Sequence, residues 1–418
     1  MTDLGTRPAG GAAHTIAALL APTFGGQLPI RIQTWDGAIA GPDIAPTLVL
    51  ANRQALRRLL WAPPELAVAQ AYVTGEIDFH GDLRGGLRLI RGAIQQKPPI
   101  ARLLAQLMMW GAIGPRPEPP VSQAHLRGRL HSKRRDAAVI AHHYDLSNEF
   151  YSLILDESMA YSCGYWRSDD PDYSLADAQR DKLDLICRKL GMRRGTRHLD
   201  IGCGWGSLSL HAAEHFGANV LAVTLSEQQQ EYVQARIRER GLQGLVEVRR
   251  QDYRDIPDGQ FDSVSSIEMG EHVGAGNYPA FTSRIADLLK PGGRVLIQQM
   301  SRRSKPGGGP FIEAFIAPDM DMRPVGETVA MIEDAGLEVR DVQALREHYA
   351  RTADAWYDTF ERNWDRVVGL VGEEVARVWR LYLVGGSLAF EDGRMGVDQI
   401  LSVKPGGTPP PTPEWHVR

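Results

Sequence analysis

At 418 residues the chain exceeds what one ordinary core supports, so two domains are expected. Hydrophobic residues at 43% and charged residues at 23% are globular proportions, and a formal net charge of −4 argues against nucleic acid as the main partner. Three cysteines, Cys163, Cys187 and Cys203, form neither a zinc spacing nor a disulfide framework, which points to a reducing compartment. The N-terminus "MTDLGTRPAGG" lacks a signal-peptide pattern, and no apolar run reaches membrane-spanning length. A cytoplasmic protein that touches membranes only at their surface is the expectation.

Residues 1–115 read as a small α/β unit. "LPIRIQTWDG" alternates as a strand and closes on an Asp-Gly turn, "PTLVLAN" is a second strand, and "RQALRRLLW" is helical in pattern. The proline-rich "GPRPEPP", Gly114 to Pro120, breaks regular structure and opens a linker over 116–135. That segment carries Arg127, Arg129, Lys133, Arg134 and Arg135. These form either a solvated helix face or a patch for anionic phospholipid headgroups, worth roughly 1 kcal/mol per basic residue at a charged membrane.

From about residue 180 to 300 helices and strands alternate, which predicts a parallel sheet covered on both faces within a domain spanning 136–404. The tail 405–418, "PGGTPPPTPEWHVR", reads as disordered.

"HLDIGCGWGSLSL", His198 to Leu210, is a strand entering a glycine turn and then a helix. Gly202, Gly204 and Gly206 let the backbone turn tightly and approach a ligand closely. The spacing is not the dinucleotide pattern and no Walker lysine follows. Asp200 before the glycines suits the cationic amino-acid end of a ligand. Thr224, Leu225 and Ser226 follow the next strand, where a ribose would lie, and Gln251, Asp252 and Tyr253 follow the third, where an adenine would. This order resembles the S-adenosylmethionine-dependent methyltransferases. The usual acidic residue after the second strand is missing, so Ser226, Gln229 and backbone groups would serve the ribose.

Four segments resemble the cyclopropane fatty acid synthases and mycolic acid cyclopropane synthases: "AHHYDLSNEFYSLILDESMAYSCGYW", "VTLSEQQQEYVQARI", "EMGEHVGAGNYPAF" and "WRLYLVGGSLAFEDG". The likeness runs from about 125 to 403. It implies a Rossmann-like class I methyltransferase domain (α/β) with a helical substrate-covering insertion, beside a smaller N-terminal α/β domain that is like the lipid-binding domain of phospholipid enzymes. It implies methyl transfer from S-adenosylmethionine to the cis double bond of an unsaturated acyl chain in phospholipid, at the inner membrane surface, by a possible homodimer with no metal. Tyr161 and Ser162 fall on its cofactor side. Its bicarbonate base would be held by Cys163, Glu271 and Tyr382, with His272 buttressing the loop and Tyr144 nearby, while Glu268 is left free to face the cofactor.

Three positions depart from the family pattern: Gln298 stands at a histidine, Met300 at an isoleucine, and Gly270 at a bulky aromatic. Glutamine donates and accepts hydrogen bonds but carries no proton charge near neutral pH. Bicarbonate binding and ring closure therefore stay open, with a methylene-branched chain as the alternative product. C-methylation of another hydrophobic molecule and a non-catalytic lipid carrier are the remaining readings.

Overall fold

Two sheets organise the chain in the computed structural model, which describes residues 11–43, 46–110, 114–124, 147–257, 259–303 and 307–407. Chain contacts divide it into two units, Met1–Gln123 with Gly372–Val384, and Ala124–Val371 with Gly385–Arg418. The basic residues at 127–135, Tyr144 and the tail from 408 onward lie outside the described residues.

The first unit runs α1 (Gly11–Leu20), β1 (Arg31–Gln33), β2 (Ile39–Ala40), β3 (Thr47–Leu50), α2 (Pro64–Val73), β4 (Ile77–His80), α3 (Leu83–Ala93) and α4 (Ile100–Met109). Its strands lie in the order β2-β1-β3-β4. The turn between β1 and β2 is held by Asp36, whose Oδ1 accepts from Thr34 Oγ1 at 2.6 Å, and by Gly37 at φ +79°. The expected helix at "RQALRRLLW" shortens to a 3-10 turn, Arg57–Leu60. Arg58 is buried there and is held by Glu76 at 3.0 and 3.1 Å, a tertiary tie that overrides local propensity. Ile16, Ile32, Leu50, Leu103 and Leu107 form the core.

In the second unit, β5 (Arg197–Ile201), β6 (Asn219–Thr224), β7 (Val246–Arg250), β8 (Phe261–Ile267), β9 (Leu289–Arg302), β10 (Glu338–Ala344) and β11 (Met395–Val403) form one sheet. Its order is β7-β6-β5-β8-β9-β11-β10, and β11 runs antiparallel to both its neighbours. On one face α5 (Leu175–Lys189), α6 (Ser207–Phe216) and α7 (Glu227–Glu239) pack through Leu183, Ile186, Leu210 and Val233. On the other, α8 (Tyr278–Leu288) and α9 (Val325–Asp334) pack through Phe281, Ile285 and Ile332. Burial on both faces explains why "NVLAVT" is a continuous apolar run instead of an alternating one.

The chain leaves β5 towards β6 on one side and returns to β8 on the other, so β5 is the switch point of the sheet. A crevice opens there at the carboxyl ends of the parallel strands. Between β10 and β11 the chain inserts α10 (Arg346–Arg362), a short helix Trp364–Val371 and α11 (Glu373–Glu391). Among the described residues no helix is long and apolar enough to cross a membrane, and no cluster of His, Cys, Asp or Glu could hold a metal.

Candidate active site

The crevice at the end of β5 is a cavity whose wall is supplied strand by strand. Asp200, Gly202 and Gly204 line it from β5, Thr224, Leu225 and Gln229 from β6 and α7, Gln251 and Asp252 from β7, and Glu268 and His272 from the end of β8. Tyr161 and Ser162 close it from the segment before α5. Gly202, Gly204 and Gly206 all take positive φ, at 76°, 55° and 80°. A β-carbon on Gly206 would press Val233 at 2.9 Å, whereas one on Gly204 would meet nothing within 4 Å and would enter the cavity.

Asp200 is buried, and its two oxygens accept from Ser209 Oγ and Ser265 Oγ, each at 2.7 Å. Burial pushes its carboxyl up while the hydroxyls pull it back. Ser265 gives its proton to Asp200, so His198 Nε2, 3.0 Å away, is the donor to Ser265. Burial holds His198 neutral, with its pKa near 3.

On the ribose side, Thr224 Oγ1 donates to Gln229 Oε1 at 2.6 Å, which leaves the carboxamide nitrogen of Gln229 for the cavity. Ser226 caps α7, accepting from Gln229 N at 3.3 Å. On the adenine side, Asp252 is engaged twice by Arg254, at 2.8 and 2.6 Å, and Gln251 Oε1 is a buried acceptor with no partner among the described residues.

Where β8 opens into its loop, Cys163 and Gln298 come together on Glu268. Glu268 lines the cavity at φ +52°. Its Oε1 accepts from Cys163 N and from Gln298 Nε2, both at 2.8 Å, and its Oε2 accepts from Tyr349 Oη at 2.5 Å. Burial pushes its carboxyl up and these donors oppose that. Cys163 and Gln298 thus meet the cavity through Glu268. The Cys163 thiol is raised well above its usual range by burial and by Glu268, so it stays a neutral thiol.

Glu271 is fully buried behind this group: Oε1 accepts from Met300 N at 2.5 Å, and Oε2 has no partner among the described residues. Burial, with Glu268 adding to it, pushes Glu271 up to about 8. Gly270 makes room for Gln299, since a β-carbon there would stand 2.2 Å from Gln299 Oε1. Tyr382 lies on α11 in the stretch assigned to the first unit, edge-on to Trp379 with ring centroids 5.5 Å apart.

Three residues escaped the sequence reading. Lys182 lines the cavity, is buried, and donates to Ser162 Oγ at 2.9 Å. Burial pushes its ammonium down while Glu268, Asp156 and Asp200 pull it up. Gln179, one turn earlier on α5, donates to Ser162 O at 2.8 Å. Both sit in the apolar stripe of α5 with Ala178, Leu183 and Ile186, and polar residues in that stripe were the available signal. Tyr349, stacked on Phe390 at 4.3 Å, carried no such signal.

A sheet of this order with a glycine turn at its switch point defines the class I S-adenosylmethionine-dependent methyltransferases. In agreement, the solved structure of a mycolic acid cyclopropane synthase complexed with SAH and CTAB superposes with TM-score 0.60 at 31% identity, covering 64% of this chain and 98% of that chain. S-adenosylmethionine is the cofactor, and the residues fit it: the glycine turn leaves room at Gly204, and Gln251 offers an unmatched buried acceptor.

The family model described as mycolic acid cyclopropane synthetase matches residues 131–400, and the chain belongs to that family. A probable fatty acid methyltransferase of Pseudomonas putida is 36% identical over 387 residues, 90% of this chain and 92% of that one. A tuberculostearic acid methyltransferase of Mycobacterium tuberculosis is 32% identical over 418 residues, 96% of this chain and 93% of that one.

Proposed function

We propose that this enzyme methylates the cis double bond of an unsaturated acyl chain esterified in phospholipid, giving a cyclopropane fatty acid. The observation that carries the reading is an aromatic train ending on a carboxylate. Tyr161 packs on Trp356 at 5.3 Å, Trp356 on Tyr349 at 5.9 Å, and Tyr349 donates to Glu268. An alkene is a weak nucleophile and its methylation leaves a carbocation, so the site must hold the chain in line, exclude water and present π faces to positive charge.

S-adenosylmethionine supplies the electrophilic methyl group. Tyr161, Ser162, Asp200, Gly202 and Gly204 would hold its methionine end, Thr224, Leu225, Ser226 and Gln229 its ribose, and Gln251 and Asp252 its adenine. Cys163, Gln298, Glu271 and His272 would shape the end of the cavity where the acyl chain reacts, with Tyr144 joining them by resemblance. The basic segment 127–135 would bring the enzyme to anionic phospholipid, where a homodimer is expected.

A second product is favoured by one observation. Two relatives matched along nine-tenths or more of both chains bear the name methyltransferase and not cyclopropane synthase. In that reading a hydride shift precedes proton loss and a methylene-branched chain results. The test is incubation with methyl-labelled S-adenosylmethionine and cis-monounsaturated phospholipid vesicles, followed by proton NMR of the lipid. Upfield ring protons support the cyclopropane, olefinic methylene protons the branched chain, and lipid without label overturns acyl methylation.

A further inference from the structure

Bicarbonate, the base that the family resemblance implies, does not fit the groups present. The donors that would grip it are already committed. Cys163 N and Gln298 Nε2 both donate to Glu268 Oε1, and Tyr349 Oη donates to Glu268 Oε2. A second anion entering this group would lose those donors and face a carboxylate at contact distance.

The backbone marks Glu268 as well. Its φ of +52° lies in the left-handed region, which a β-carbon makes costly and glycine takes freely. A side chain persists in such a conformation when its surroundings over-determine it, and strain of this kind gathers at working sites. Three donors on one carboxylate, at the mouth of β8 and on the cavity wall, are that over-determination.

We propose that the Glu268 carboxylate is the built-in base of this enzyme and takes the proton that the methylated acyl chain loses, in place of a bicarbonate ion. This rests on the acyl-methylation reading above. The alkene pair forms the new C–C bond and the methyl–sulfur bond breaks, leaving S-adenosylhomocysteine and a cation on the acyl chain. A C–H bond next to that cation then breaks. Its electron pair closes the ring or, after a hydride shift, forms the methylene double bond, and the proton goes to Glu268 Oε2, which among the described residues accepts from Tyr349 alone and keeps a lone pair. Solvent takes the proton between turnovers.

The departure at Gln298 now has a reason. A cationic histidine there would pair with Glu268 and weaken it as a base, whereas a carboxamide donates one neutral N–H. Glu268 and Gln298 are a matched pair.

The test uses the full chain with S-adenosylhomocysteine bound and carbon-13 bicarbonate followed by NMR, beside label transfer to phospholipid vesicles. Wild type is expected to bind no bicarbonate at millimolar concentration and to turn over equally in carbon-dioxide-depleted buffer. Glu268→Gly, which suits the positive φ and empties the cradle, is expected to bind the ion and to gain activity when it is added. Glu268→Gln is expected to lose at least about 100-fold in turnover, the scale of a general base, with affinity for S-adenosylhomocysteine unchanged. Bicarbonate binding to the wild-type complex, or wild-type turnover in Glu268→Gln, overturns the proposal. If wild type labels no lipid at all, acyl methylation fails, while the binding experiment still decides whether Glu268 has displaced the ion.

Discussion

Gln298 aims its carboxamide N–H at Glu268 because Gln399 holds its other end. Gln399 Nε2 donates to Gln298 Oε1 at 2.9 Å, and Gln298 Nε2 donates to Glu268 Oε1 at 2.8 Å. The two glutamines face each other across β9 and β11, in register. A free carboxamide could present either end; this one is fixed by the sheet.

Gln298→Ala removes one of three donors to the Glu268 carboxylate. A lost donor to the charged form raises a carboxyl pKa, so the acid limb of the kcat–pH profile moves to higher pH. Tyr349 Oη, Cys163 N and the Lys182 ammonium still face Glu268 and keep the shift modest. Turnover at neutral pH is expected to fall about tenfold, the effect of one preorganised hydrogen bond, without loss of cofactor binding. An unmoved acid limb would show that Gln298 serves packing alone.

Gly270→Ala tests a second of the three departures from the family pattern. Its β-carbon would stand 2.2 Å from Gln299 Oε1, the acceptor of the buried Tyr278 hydroxyl at 2.6 Å. Gln299 must swing away, and Tyr278 loses its partner beneath the Arg323 guanidinium, 4.2 Å from the ring centroid. The expected cost is about 1–3 kcal/mol, read as a lower urea midpoint at unchanged slope. In this chain Gln299 occupies space that a bulky residue at 270 would need.

Much of this site was legible because its parts are local. The glycine turn, Thr224 to Gln229 and Gln251 to Asp252 each follow a strand directly, and a parallel sheet brings all strand ends to one edge. What escaped was long-range. Tyr349 reaches Glu268 across 81 residues and Gln399 reaches Gln298 across 101, through the helical insertion and the reversed strand β11. Nothing in the strand pattern of "MGVDQILSV" says which glutamine it will meet, since register is a tertiary outcome. Asp200 was legible as important, but its hydroxyl partners, Ser209 and Ser265, come from α6 and β8 and were not.

Gly204→Ala tests the cofactor turn. At φ +55° alanine costs about 1 kcal/mol of backbone strain, and its methyl projects into open cavity instead of into protein. The protein is therefore expected to stay folded while binding of S-adenosylhomocysteine weakens at least about tenfold, measured by titration calorimetry. Equal affinity in the variant would place the ligand away from this turn.

Glu271 makes stability depend on pH. Its folded pKa, near 8, lies above the ordinary value of 4.5, chiefly because of burial and secondarily because of Glu268, with Arg323 opposing. The folded state therefore keeps a proton on Glu271 that the unfolded chain has released. Stability from this group is fully present below about pH 4.5 and is lost as pH rises towards 8, at a slope on the order of 1 kcal/mol per pH unit. Glu271→Gln keeps the shape and cannot ionise, so it should flatten that fall and gain stability over wild type as pH rises from 5 to 8, with little difference at pH 4.5. Chemical unfolding of both proteins across this range measures it. Parallel curves would mean that Glu271 ionises freely in the folded state, and that the space behind Glu268 is wetter than its burial implies.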